Sequence, residues 1–232
     1  DADTTALDAG DSVTDTFTLT VSDGTATDTM DVVITVTGAD DDVSAGSDQT
    51  GTVTEDASTS TATGTIAGTD ADDASSLSYT GDATGTYGAI AVVSSSGAWT
   101  YTLDNSDADT TALDAGDSVT DTFTMTVTDS ASSETDTMTV TVTITGADDD
   151  VSAGSDQTGA VTEDASTTTA TGTIAGTDAD DASSLSYTGD ATGTYGAIAV
   201  VSSSGAWTYT LDNSDADTTA LDAGDSVTDT FT

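Results

Sequence analysis

Four acidic patterns recur along the chain, and each offers oxygen donors and nothing else. The stretch ADDD places Asp40, Asp41 and Asp42 in a row, and again Asp148, Asp149 and Asp150. LDAGD supplies Asp8 and Asp11, then Asp114 and Asp117; VTEDAS supplies Glu55 and Asp56, then Glu163 and Asp164. TDADD supplies Asp70, Asp72 and Asp73, then Asp178, Asp180 and Asp181, with an alternate spacing that lets two carboxylates face one ion. The sequence has no Cys and no His, so thiolate and imidazole ligation are unavailable. Carboxylates and carbonyls suit hard cations, calcium above all. Calcium takes about six to eight oxygens, more than any one of these segments provides, so a site must draw on several of them.

The charge balance sharpens this. The 232 residues contain 43 Asp and Glu and no Lys or Arg, a net charge of −43. Nothing can neutralise phosphates, which excludes nucleic acid as an ordinary partner, and anionic lipid would repel the chain. Self-repulsion at this density favours expansion unless cations condense on the fold or bind at defined sites. No apolar run is long enough to span a membrane, and there is neither a signal peptide nor a lipidation motif.

The elements that must position these carboxylates are repeated. DADTTALDAGDSVTDTFT starts at Asp1, Asp107 and Asp215, a period close to one sandwich domain of ~100 residues. Residues 39–124 and 147–232 differ only at Thr52 against Ala160 and Ser60 against Thr168. A whole unit spans 39–146; residues 1–38 read as the closing part of a preceding repeat and 147–232 as the opening part of a following one, a window on a longer array. Within a unit the apolar period is two: Trp99, Tyr101 and Leu103 share one face, as do Phe123, Met125 and Val127, and Met138, Val140, Val142 and Ile144, with Thr on alternate positions. Strands are expected near 51–54, 60–67, 76–80, 86–93, 98–103, 119–128 and 136–145, separated by Gly, Asp and Ser turns. The fold class is all-β: tandem cadherin/Ig-like antiparallel Greek-key β-sandwich domains.

The segment GTYGAIAVVSSSGAWTYTLDNSDADTTALDAGDSVTDTFTMTVTD, followed by TDTMTVTVTITG, resembles the VCBS repeat, a cadherin-like tandem module of bacterial surface adhesins and extracellular matrix and fibre proteins. The chain departs from that pattern in having GADDDV where the family has an Asn-Asp-Ala-Pro linker, and in lacking basic residues. The resemblance implies calcium held at junctions between consecutive domains by linker carboxylates and the facing domain ends. One cluster is then expected around Asp40, Asp41 and Asp42, and another around Asp148, Asp149 and Asp150, completed from LDAGD, TED and TDADD. It further implies a structural, adhesive role in an extracellular fibre or giant adhesin at the bacterial cell surface, with neighbouring copies of the repeat as partners.

Plainer readings compete. Asp-rich loops also serve as turns and solvated surface; their recurrence once per repeat, with no basic residue to pair them, favours a metal. Trp99, Trp207, Tyr87 and Tyr101 could form a sugar platform, making the chain a carbohydrate-binding module for surface glycans, although their parity with Leu103 favours the core. Rows such as Thr139, Thr141 and Thr143 fit an exposed sheet face. Catalysis lacks a His, Cys or Lys to work with the carboxylates, and near-identical repeats argue against a unique cleft. A further alternative is a self-assembling filament subunit, in which strands of one chain complete the sandwich of the next.

Overall fold

The computed structural model describes residues 2–73, 75–181 and 183–232. They fall into two compact units, one of residues 1–110 and 115–147, the other of 111–114 and 148–232.

The first unit opens with one helical turn, α1 (Ala2–Thr5), and a hairpin of β1 (Ser12–Ser22) and β2 (Thr27–Thr37), antiparallel in register from Ser12↔Thr37 to Ser22↔Thr27. A two-sheet sandwich follows. Its strands are β3 (Gln49–Thr54), β4 (Thr61–Thr65), β5 (Leu77–Thr80), β6 (Ala83–Thr84), β7 (Gly88–Val92), β8 (Ala98–Leu103), β9 (Ser118–Asp129) and β10 (Thr135–Thr145). One sheet runs β3-β10-β9-β5 and the other β4-β8-β7-β6. The ladders are antiparallel except β3 on β10, which is parallel, with Val140 opposite Gln49 and Thr145 opposite Thr54. The chain reaches β3 after a bridge between Ser44 and Thr69.

Period-two patterning becomes burial here. Met138, Val140, Val142 and Ile144 of β10 and Phe123, Met125 and Val127 of β9 face Trp99, Tyr101 and Leu103 of β8, all buried, while the intervening Thr side chains face outward. Trp99 lies flat over β4, where a side chain at Gly64 would come within 2.6 Å of the indole, and its Nε1–H donates to Gln49 Oε1 at 2.8 Å. Gly64 is thus required by the closeness of the ring.

The β1–β2 hairpin repeats β9 and β10 in sequence but is a sheet of its own. Phe17, Leu19, Met30 and Ile34, counterparts of buried Phe123, Met125, Met138 and Val142, are 53%, 52%, 62% and 48% exposed.

The second unit contains β11 (Thr169–Thr173), β12 (Ala191–Thr192), β13 (Gly196–Val200) and β14 (Ala206–Leu211), in the order β11-β14-β13-β12. This reproduces the β4-β8-β7-β6 sheet strand for strand. Residues 157–162, which match β3 except at Ala160, form no strand, and nothing in 147–232 corresponds to β10. A strand without its ladder partner leaves its amides to water. Ile198, Trp207 and Tyr209 are accordingly half-buried, where Ile90, Trp99 and Tyr101 are buried.

Candidate metal centre

Asp8, Asp40 and Asp72 converge in the first unit, with one carboxylate oxygen of each within 4.8 Å of the others. Each is placed by its own backbone. Asp8 precedes β1 in a turn closed by the Asp11 N–H donating to the Asp8 carbonyl at 2.9 Å, and the Gly38 N–H donates to the Asp11 carbonyl at 2.9 Å. The Asp8 carbonyl lies so near Gly38 that a Cβ there would sit 2.3 Å from it. This packing carries the chain past the end of β2 to Asp40. Asp72 follows the Ser44–Thr69 bridge; its Oδ2 accepts the Asp41 N–H at 3.0 Å, while Asp70 Oδ1 accepts the N–H groups of Asp72 and Asp73 at 3.2 and 3.3 Å.

With no basic side chain in the sequence, these carboxylates repel one another unrelieved. Partial desolvation, then the charges of Asp72, Asp73, Asp11 and Asp40, push the Asp8 carboxyl above its usual range. Asp70 is raised and Asp72 lowered, chiefly because the two share a hydrogen-bonded proton. Desolvation, with Asp40 and Asp42 nearby, also raises Glu134, in the turn between β9 and β10. Raised carboxyls bind more protons in the folded than in the unfolded chain, so they cost stability as pH climbs from ordinary carboxylate values through their own. Asp129 and Asp104 are lowered, mainly by Ser132 and Ser106 hydroxyls, and Asp23 falls to about 2 through the Ala26 N–H and Thr25; their stabilisation is lost as pH falls through those depressed values. In metal-free buffer, acidification from neutrality to just above the usual carboxylate range is therefore expected to raise the melting temperature before stronger acid lowers it. A thermal melt series in chelator checks this, and a monotonic decline would contradict it.

The second unit repeats part of this pattern. The Asp149 N–H donates to Asp180 Oδ2 at 3.0 Å, Asp178 is raised and Asp180 lowered by their mutual hydrogen bond, and Asp114 lies in the same unit as Asp148 and Asp150. Among the described residues, the three-carboxylate grouping at 4.8 Å is found for Asp8, Asp40 and Asp72.

Glu55, Asp56 and Asp117 do not join that group. They stand where β10 leaves the sandwich: Glu55, 2% exposed, accepts the Ala147 N–H through Oε2 at 3.2 Å, and the Asp117 carbonyl accepts the Gly146 N–H at 3.0 Å. Asp56 adopts a left-handed backbone, φ 52°, as does Asp164, φ 58°, whose N–H donates to Asn213 Oδ1 at 3.4 Å. Its neighbour Glu163 is half-buried.

Three further carboxylates lie outside the recurring acidic motifs. Glu134 sits beside Asp40 and Asp42. Asp129, 2% exposed, holds the β9–β10 turn through the Ala131 and Ser132 N–H groups and accepts the Ser76 hydroxyl. Asp121, 4% exposed, accepts the Thr86 N–H at 2.8 Å, the Tyr87 N–H at 3.1 Å and the Tyr101 hydroxyl at 2.9 Å. Burial and this carboxylate push the Tyr101 phenol far up; burial and Asp229 bring Tyr209 to about 12. Tyr101→Phe leaves a buried carboxylate short of one donor and is expected to cost about 1–3 kcal/mol, read as a lower urea midpoint at unchanged slope.

Residues 40–146, just under half of the chain, match the family model of the bacterial cadherin-like domain. No curated protein matches the chain. Among solved structures it is similar to mouse clustered PcdhgC3 EC1-3 (19% identity, TM-score 0.39, 88% of this chain and 68% of that one). It is also similar to the human Desmocollin-1 ectodomain (13%, 0.42, 87% and 40%) and to the endo-fucoidan hydrolase MfFcnA4 of glycoside hydrolase family 107 (14%, 0.33, 86% and 29%). The chain spans well under half the length of the latter two.

Proposed function

We propose that the chain is a segment of an extracellular, structural and adhesive bacterial protein whose repeats are stiffened by calcium at their seams. Residues 39–146 form one whole repeat, and 1–38 and 147–232 are parts of two more. The observation that carries this reading is the meeting of Asp8, Asp40 and Asp72 within 4.8 Å. They come from the end of one repeat, the linker and the body of the next, in a chain that has no cation to separate them. The match of 40–146 to the bacterial cadherin-like domain supports it.

The donor set fits a hard divalent ion. Asp8, Asp40 and Asp72 would hold it directly, with Asp42, Asp11 and Glu134 near enough to supply charge or further oxygens. Bound there, calcium supplies positive charge that cancels carboxylate repulsion and ties three separate stretches of chain together. The chain's own part is orientation: the Asp41 N–H holds the Asp72 carboxylate, and the Asp8 turn packs on Gly38. In low calcium the repelling chain stays loose enough for export and folds outside the cell as the ion binds. The sugar-platform alternative loses Trp99 and Tyr101, which are 2% and 0% exposed.

Asp72→Asn tests the reading by calcium titration calorimetry on the full chain. It is expected to weaken one class of site roughly tenfold or more, about 1.4 kcal/mol, while Tyr101→Phe leaves affinity unchanged. Identical calcium isotherms for the wild type and Asp72→Asn would refute the assignment.

A further inference from the structure

The β3–β10 ladder continues past its last backbone rung. From Gln49↔Val140 to Thr54↔Thr145 the partners keep one constant offset. Ahead of Gln49 the backbone rungs stop, yet the same offset of 91 residues is carried on by side chains. The Thr139 N–H donates to Asp48 Oδ1 at 2.8 Å, and the Ala45 N–H donates to Asp136 Oδ2 at 2.9 Å. In each case a carboxylate oxygen accepts where a ladder would use a carbonyl. Asp136 Oδ1 takes the adjacent Thr137 N–H at 2.8 Å, which holds the carboxylate with its other oxygen on Ala45. The Ala45 N–H is also the main reason that the Asp136 carboxyl lies below its usual range. Nearer the linker, Ser44 and Thr69 exchange N–H···O bonds of 2.8 Å, the Asp41 N–H donates to Asp72, and the Val43 N–H faces the Glu134 carboxylate. Val43 and Ala45 are buried, while Asp42 and Ser44 are exposed, the alternation of a strand.

We propose that Asp48 and Asp136 are positioning residues of the seam: they stitch 41–48 to β10 of the repeat that this stretch opens, and leave bending between repeats to residues 38–40. The device stands where the related linkers have a Pro. Pro would stiffen the backbone by fixing φ, but it has no N–H to donate. This linker keeps its amides and gives them to carboxylates of its own domain. Both acceptors recur in the sequence, Asp48 as Asp156 and Asp136 as Asp28, so successive seams are equipped alike. The buried Ala45 N–H has no water to turn to if its carboxylate is removed, which makes the bond hard to replace. The linker carboxylates at 40–42 are thus carried by a stretch already ordered on its C-terminal side. Less chain remains to be ordered when an ion binds, which favours binding. In that one respect the proposal rests on the calcium reading; the stitching itself uses only groups of this domain.

Amide hydrogen exchange on the full chain, read by mass spectrometry, is the test. A peptide that runs from the linker through Thr52 is told by mass from its copy, which carries Ala160. In calcium, the amides of 41–45 are expected to be protected along with those of β3. Asp136→Ala should speed their exchange roughly tenfold or more, while Asp136→Asn, which keeps an acceptor oxygen and loses the charge, should restore most of the protection. Asp48→Ala removes the other rung and should loosen the same stretch; it decides the matter if Asp136→Ala does not fold. Calcium titration calorimetry should show several-fold weaker binding for Asp136→Ala and near-normal binding for Asp136→Asn. Free exchange of 41–45 in the wild type, or equal loss in the Ala and Asn variants, would overturn the proposal. So would protection of 41–45 that vanishes in chelator while β3 keeps its own, or calcium affinity indifferent to a loosened stretch. Protection of 41–45 in a chain that binds no calcium would instead uphold the stitching and sink the ion site, so the two failures are told apart.

Discussion

In saturating calcium the chain is expected to melt on the order of 10 °C higher than in chelator. A single site at a hundredfold excess over its dissociation constant adds about 2.7 kcal/mol, and each kcal/mol moves a domain of this size by about 4–8 °C. Each further occupied site adds to the shift. The effect has a specific and a general part, since any salt screens 43 negative charges. Sodium chloride at matched ionic strength isolates the general part. Magnesium, which demands a tighter octahedral shell and gives up its waters reluctantly, is expected to fall short of calcium. The circular dichroism melt with calcium, magnesium, sodium and chelator decides the matter. Equal midpoints in calcium and sodium would sink the calcium reading while leaving the sandwich fold untouched.

The second large effect is a contrast between two tryptophans in the same sequence context. Trp99→Ala should cost about 3–5 kcal/mol, the range for removing a large aromatic from a packed core, because the indole is 2% exposed, lies on Gly64 and donates to Gln49. Trp207 keeps the equivalent Gln157 bond at 2.8 Å and lies over Gly172, yet its sheet lacks the opposing strands and it is only half-buried. Trp207→Ala should therefore cost about half as much or less in the monomer. Urea unfolding of each single variant, followed by far-UV circular dichroism against the wild type, gives the cost of each loss. A Trp207→Ala cost equal to that of Trp99→Ala in dilute monomer would mean that the second sheet is covered as fully as the first.

Much of this architecture is legible in the sequence because Thr alternates with large apolar residues so regularly. The strand expected near 98–103 is β8, and those expected near 119–128 and 136–145 are β9 and β10, within a residue at each end. Parity alone puts Trp99, Tyr101, Phe123 and Val140 inside. The parallel pairing of β3 with β10 is not legible, since Gln49 and Val140 are ninety-odd residues apart and local pattern carries no partner information. The recurring motifs single out Asp8, Asp40 and Asp72 as candidates, but that linker and domain-end carboxylates should meet is implied only by the resemblance to a cadherin-like repeat. The position of Glu55 at the far end of its own sandwich follows from strand direction, which the motif does not encode. Asp121 and Asp129 were hidden among so many carboxylates, yet the signal was present: both share the parity of Phe123, Met125 and Val127 and so point into the core. Glu134 had no signal, because its nearness to Asp40 and Asp42 depends on how the β9–β10 turn lies against the linker.

The parallel β3–β10 pair sets how the sandwich of β3 to β10 bears tension. The linker at 39–42 enters at the Gln49 end of β3, and the chain leaves after Thr145 at the opposite end of β10. A pull on the two termini drags these neighbouring strands lengthwise past one another. The rungs from Gln49↔Val140 to Thr54↔Thr145 are then strained together in shear, whereas a hairpin pulled from its open end unzips one rung at a time. Mechanical rupture of this domain thus requires the whole ladder to fail at once, together with the withdrawal of Val140, Val142 and Ile144 from the core.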